Sequence, residues 1–151
     1  MKIWITGAKG LVGSCVAKAV GPSALCTGRE VDISNLEQVR TFAKKHPGIT
    51  HIVNCAAFSV VDSSEIHRQE AFGTNALGPE NLGLVAKEIG AKLVHISTDY
   101  VFSGEQRRPL KETDLPSPLN YYGETKLEGE KRLQKIFPSA CILRTSWVFG
   151  P

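Results

Sequence analysis

A chain of 151 residues, 42% of them hydrophobic, carries enough apolar side chain to bury one core and most simply forms a single domain. Its net charge of +3 is scattered in short groups such as Lys44-Lys45 and Arg107-Arg108 without interleaved aromatics, which argues for solvated faces and against a nucleic-acid partner. Lys2 runs straight into the strand-like Ile3-Trp4-Ile5-Thr6 and no apolar run approaches membrane-spanning length, so the expectation is a cytoplasmic protein with neither signal peptide nor membrane contact.

In chain order, Lys2 to Thr6, Ala24 to Thr27, His51 to Cys55, Lys92 to Ser97 and Cys141 to Thr145 are short β-branched runs that read as strands. A first helix is expected from Gly10 toward Val20, stopped by Gly21-Pro22. A second follows Asp32-Ile33, with Ser34 and Glu37 at capping-box spacing and Leu36, Val39 and Phe42 as its apolar stripe, ending near Pro47-Gly48. A third starts near Pro79, carries Leu82, Val85, Ala86 and Ile89 on one face and stops at Gly90. Gly104 to Pro118, polar and proline-rich, reads as an exposed loop over a site, and a fourth helix is expected from Tyr122 to Lys135. Strands alternating with helices define an α/β fold, a Rossmann-type doubly wound parallel sheet, over residues 1–151. Cys15, Cys26, Cys55 and Cys141 lack metal spacing and are expected as buried free thiols.

The first strand leads directly into Thr6-Gly7-Ala8-Lys9-Gly10-Leu11-Val12-Gly13. In this spacing Gly7 permits a sharp turn, Gly10 lets backbone approach a pyrophosphate, and Gly13 lets the helix pack on the sheet, while the N–H groups opening the helix at Leu11 and Val12 face the anion. After the second strand stands Thr27-Gly28-Arg29, where an acid that binds a ribose 2′-OH is common. Arg29 there favours a 2′-phosphate, hence NADPH over NADH; its alternative is an ordinary surface arginine. Asp32, followed by Ile33, reads from its position as a helix-capping residue.

Tyr122-Gly123-Glu124-Thr125-Lys126 places a tyrosine and a lysine on one helical face a turn apart. An ammonium in that position stabilises tyrosinate and lowers the phenol pKa, so the tyrosine can exchange a proton with a carbonyl or alcohol. Thr98, in Ser97-Thr98-Asp99 at the end of a predicted strand, lies at the edge where open α/β sheets bind ligands, and its hydroxyl can share that carbonyl.

TGAKGLVG (6–13), VDIS (31–34), NCAAFSVVDSSE (54–65), GPENL (78–82), HISTDYVFSG (95–104), PLNYYGETKLEGE (118–130) and RTSWVFG (144–150) together span nearly the whole chain. They resemble the extended short-chain dehydrogenase/reductases and, among those, the dTDP-4-dehydrorhamnose reductases. The resemblance implies an NAD(P)H-dependent reduction of the 4-keto group of a dTDP-linked deoxysugar, with no metal required. By position it makes Tyr122 the proton donor, Lys126 the group that tunes it and binds the nicotinamide ribose, and Thr98 the hydroxyl that orients the keto group. It places Asp32 and Ile33 at the adenine, Ala56 and Ala57 along the cofactor, and Ser59, Asp99, Tyr100 and Trp147 against the sugar or the nicotinamide. Packing is the alternative for Tyr100 and Trp147; Asn75, in a helix-like stretch, reads as a structural hydrogen-bonder. Ser59 stands where the family commonly has threonine, and Ser63 where it has lysine.

A second function shares part of these motifs: a non-catalytic cofactor-binding subunit resembling the regulatory subunit of methionine adenosyltransferase. The intact Thr98, Tyr122 and Lys126 set favours the enzyme. Family members are about twice as long, so the resemblance implies a chain truncated before the C-terminal substrate domain. A homodimer is the assembly left open.

Overall fold

The computed structural model describes residues 1–150. Five strands, β1 (Lys2–Thr6), β2 (Ala24–Thr27), β3 (Ile49–Asn54), β4 (Lys92–Thr98) and β5 (Cys141–Thr145), pair in parallel in the order β2-β1-β3-β4-β5. The strand order reverses between β1 and β3, which is the point where an open parallel sheet forms its ligand crevice. β3 starts at Ile49 rather than His51 and stops at Asn54 rather than Cys55.

Helix α1 (Leu11–Val20) packs on β1 and β2. Right-handed crossovers put the later helices on the opposite face, where α2 (Leu36–Lys45), α5 (Gly78–Ile89) and α6 (Tyr121–Ile136) lie side by side. Between the sheet and that layer sits the main core, built on Trp4, Ile52 and Leu93 from adjacent strands and on Val39, Leu82, Val85 and Leu133 from the helices. Two residues nearer the C-terminal edge, the same face carries a buried polar row: Thr27, Thr6, Asn54 and His95 sit side by side across four strands.

Two expectations are corrected. The cap of α2 is Asn35, whose side chain accepts from the N–H groups of Glu37 and Gln38. Ser34 is drawn off because Asp32 accepts both its N–H and its hydroxyl. Cys15, Cys26 and Cys141 are exposed and Cys55 is half-buried, all as free thiols. Cys26 and Cys141 lie on the two edge strands, where less of the sheet is covered. The third helix begins where expected, as α5 with Pro79 in its first turn, but helical structure already precedes it. Residues 61–72 already form α3 (Val61–Ile66) and α4 (Arg68–Phe72), and a π-helical segment, Gly73–Leu77, carries α4 directly into α5.

Candidate active site

Above the C-terminal ends of β1, β3, β4 and β5 lies an open cleft of about 1110 Å³. Its floor begins at the glycine turn. Gly7 has φ of +65°, and a Cβ there would sit 2.6 Å from the Ala56 backbone, so the crossing of the β1 and β3 exits requires glycine. A Cβ on Gly13 would collide with the Gly7 carbonyl, so Gly13 brings α1 close to the turn; it lies behind the cleft wall, which is formed by Gly7, Gly10, Leu11 and Val12. No side chain caps α1 and no acid stands in its first turn, which leaves its opening N–H groups and positive dipole end available to an anion.

Asn54 builds the next stretch of wall. Its Oδ1 accepts from the Thr6 hydroxyl at 2.7 Å and from the Ala56 N–H at 3.1 Å, and its amide donates to His95 Nδ1 at 3.0 Å. This holds Ala56 and Ala57 against the cleft. Asn75, inside the π segment, continues the job: it accepts from the Phe58 N–H at 2.8 Å, donates to the Phe58 carbonyl at 3.0 Å and donates to the Thr125 hydroxyl at 3.1 Å. One buried amide thus ties the loop carrying Ser59 to α6. A π segment at such a place is common near functional sites.

At the centre, α6 starts at an N-cap, Asn120, that accepts from the Gly123 N–H. A Cβ on Gly123 would strike the Tyr100 carbonyl, so glycine there lets the helix start press against the turn after β4. Tyr122 consequently packs edge-on to Tyr100, ring centroids 5.6 Å apart. Thr98 caps that turn, accepting from the Tyr100 N–H and donating to Asp99 Oδ1, both at 3.2 Å, while Asp99 Oδ2 accepts from Ser146 at 2.7 Å. Lys126, a turn below Tyr122 and fully buried, donates to the Ile96 carbonyl at 2.7 Å.

Burial pushes Lys126 down to about 8, opposed by the Glu130 carboxylate and the Cys55 thiol. Burial pushes the Tyr122 phenol up, the Thr98 hydroxyl pulling the other way. The lowering of Tyr122 by Lys126 expected from their spacing is not found: the ammonium is turned to Ile96 and is not among the groups acting on the phenol. Burial likewise pushes the Cys55 thiol up to about 11 and holds His95 well below its usual range.

Thr98, Tyr122 and Lys126 line one cleft together with Arg29, Asp32, Ile33, Ala56, Ala57, Ser59, Asp99, Tyr100 and Trp147. Arg29 is exposed at its mouth, Asp32 holds Ser34, and Ile33 is buried under α5. Trp147 is 87% exposed at the rim and has φ of +46°, rare for a bulky side chain. The sequence reading passed over Asn54, His95, Glu130 and Arg144. Only Glu130, eight positions along α6 from Tyr122 and so on its face, was traceable from spacing.

A glycine turn at the switch point of a parallel sheet, with threonine, tyrosine and lysine converging beside it, defines a Rossmann-type domain of the extended short-chain dehydrogenase/reductase class. The profile of one family, the RmlD substrate binding domain, matches residues 1–151. The chain belongs to this family, that of the dTDP-4-dehydrorhamnose reductases. The dTDP-4-dehydrorhamnose reductase of Escherichia coli (strain K12) is 41% identical over 99% of this chain and 52% of its own length. That of Mycolicibacterium smegmatis is 39% identical over 98% and 46%. Among solved structures, the Clostridium acetobutylicum reductase superposes with a TM-score of 0.94 at 40% identity, covering 99% of this chain and 55% of its own. The Bacillus anthracis reductase, solved in complex with NADP, gives 0.93 at 35% over 99% and 55%. The chain spans about half the length of the curated relatives it matches. The reductase names of relatives aligned over nearly the whole chain do not favour the regulatory-subunit alternative.

Proposed function

We propose that this chain forms the NADPH-binding and catalytic half of a reductase that converts the 4-keto group of dTDP-4-dehydrorhamnose to an alcohol. The observation that carries the reading is the convergence of Thr98, Tyr122 and Lys126 in the cleft that also holds the glycine turn. The chain's own residues suit a dinucleotide: α1 opens without a side-chain cap, and a Cβ on Gly10 would meet nothing nearer than the Gly7 carbonyl at 3.3 Å, leaving its cleft side open to a pyrophosphate. Gly7, Gly10, Leu11 and Val12 hold the pyrophosphate, with Gly13 supporting them from behind. Asp32 and Ile33 flank the adenine, Ala56 and Ala57 the nicotinamide side, and Arg29 receives the 2′-phosphate, giving the preference for NADPH over NADH.

When bound, the reduced nicotinamide supplies the hydride that the carbonyl carbon accepts. Tyr122 donates its proton to the carbonyl oxygen; its raised pKa keeps the phenol protonated at neutral pH and ready for that transfer. Thr98 turns its hydroxyl from a long bond with Asp99 toward the same oxygen, and Lys126, whose ammonium faces the Ile96 carbonyl while the phenol is neutral, turns to balance the tyrosinate left behind until solvent returns the proton. Ser59, Asp99, Tyr100 and Trp147 orient the sugar. The protein works in the cytoplasm on a nucleotide-sugar, without metal, nucleic acid or membrane, and a homodimer fits its exposed apolar rim; no helix among the described residues is long and apolar enough to cross a membrane.

The test joins this chain to the C-terminal half of the Escherichia coli reductase. Tyr122→Phe in that chimera is expected to keep NADPH affinity within a few-fold while turnover of dTDP-4-dehydrorhamnose falls by ~10²–10⁴. Near-normal turnover removes Tyr122 from the mechanism.

A further inference from the structure

Lys126 poses a problem of charge. An ammonium buried without an anion loses its proton near or below neutrality, down to pKa values of ~5–6, and a neutral amine does nothing to balance a tyrosinate. Groups facing the cluster come from every element around it: Tyr122 and Glu130 on α6, His95 on β4, Cys55 after β3, Arg144 on β5, with Asp99 beside Tyr122 and Glu112 beside Arg144. Of those acting on Lys126, Cys55 is held as a neutral thiol by burial, which leaves Glu130 as the one carboxylate.

Glu130 is itself buried and fully engaged. Its Oε1 accepts from the Ser97 hydroxyl at 2.5 Å and from Arg144 Nε at 3.0 Å, and its Oε2 accepts from Arg144 Nη2 at 2.6 Å. Ser97 directly precedes Thr98 on β4. Arg144 directly precedes Thr145, whose hydroxyl donates back to the Ser97 carbonyl. Glu130 stands one helical turn beyond Lys126, on the face that also carries Tyr122. The carboxylate therefore pins the helix of Tyr122 and Lys126 to the strand of Thr98, and from one helical turn away, without an ion pair, its charge acts on the buried ammonium.

We propose that Glu130 is a positioning residue: gripped by Ser97 and Arg144, its carboxylate keeps Lys126 protonated and locks α6 to β4 at the reacting centre. Arg144 sets the strength of the effect by taking part of the carboxylate's field. The two residues consequently act on Lys126 with opposite sign. The catalytic consequence rests on the reductase reading, but the charge network stands on this chain's residues alone.

Carbon-13 NMR of the chain labelled at lysine Cε tests it, with the Lys126 signal assigned by its loss in Lys126→Met. The wild-type midpoint is expected near 8. Glu130→Gln, equal in size and still able to accept from Ser97, should lower it by ~1–2 pH units, and Arg144→Gln should raise it by ~1. A wild-type midpoint below ~6 overturns the proposal without any variant, because that is the value burial alone produces. So do shifts of the same sign in both variants, or a Glu130→Gln shift under ~0.3 unit. If one variant fails to fold, the sign given by the other decides. Opposite shifts in this chain, alongside a chimera that never reduces the nucleotide-sugar, would leave this inference standing and end the reductase reading.

Discussion

His95 shows how one side chain couples the site to stability. The amide of Asn54 donates to its Nδ1, so its proton sits on Nε2, which is buried with no partner among the described residues. Burial, then the nearby Lys126 charge, hold its pKa far below the ordinary 6.5. A histidine depressed in the folded state favours folding when neutral. That contribution is complete above the unfolded pKa and is lost as pH falls below 6.5 toward the folded value. The expected loss between pH 7 and pH 5.5 is about 1 kcal/mol. Urea unfolding at the two pH values checks this, with His95→Gln expected to flatten the dependence; an equal slope in the variant would assign the loss to other groups. None of this was legible in the sequence. Thr6, Asn54 and His95 are far apart along the chain, and each is an ordinary strand residue until the register of β1, β3 and β4 puts them side by side. The reactive trio differs because tyrosine and lysine share one helix, and Thr98 ends a strand that its apolar alternation already marked.

The elements divide in the same way. Strands β1, β2, β4 and β5 and helices α1, α2, α5 and α6 follow from periodicity and from glycine and proline stops, because each buries one face against the sheet. Residues 61–77 do not. Val61–Ile66 and Arg68–Phe72 are rich in polar residues and carry no helical stripe. Contacts with α6, including the Glu65 carboxylate accepting from the Tyr121 N–H at 2.8 Å and the Arg68 guanidinium stacked 4.4 Å from the Tyr121 ring, accompany their helical form. The π segment adds one residue per turn and aims Asn75 at Phe58 and Thr125. Asn75→Ala strips partners from both backbone groups of Phe58 and from the Thr125 hydroxyl, so a stability loss of ~1–3 kcal/mol is expected. Because Phe58 lies in the cleft wall, NADPH affinity should fall with it. Denaturant midpoints and calorimetric titration measure the two effects; unchanged values for both would reduce the clamp to an incidental contact.

At the scale of the molecule, the cleft is built from one side. The glycine turn, Asn54, Asn75, Thr98, Tyr122 and Lys126 are packed and hydrogen-bonded into the sheet and its helices. By contrast, Leu115, Leu119, Leu143, Trp147, Val148 and Phe149 are exposed, and Trp147, assigned to the sugar, is 87% in solvent. Reduction depends on binding energy from the nonreacting part of the substrate to bring the carbonyl within ~3–3.5 Å of its partners. A rim that open supplies little of that energy, and the relatives that carry the reductase name are about twice as long. The 151-residue chain taken alone is therefore expected to bind NADPH while reducing dTDP-4-dehydrorhamnose at least ~10²-fold more slowly than the Escherichia coli reductase, a deficit of roughly 2.7 kcal/mol in transition-state binding. Calorimetry with NADPH and a nicotinamide absorbance assay run side by side separate the two halves of the expectation. Rates matching the longer relative would mean that the substrate grip lies within this chain or across two copies of it, and absence of NADPH binding would remove the cofactor assignment itself.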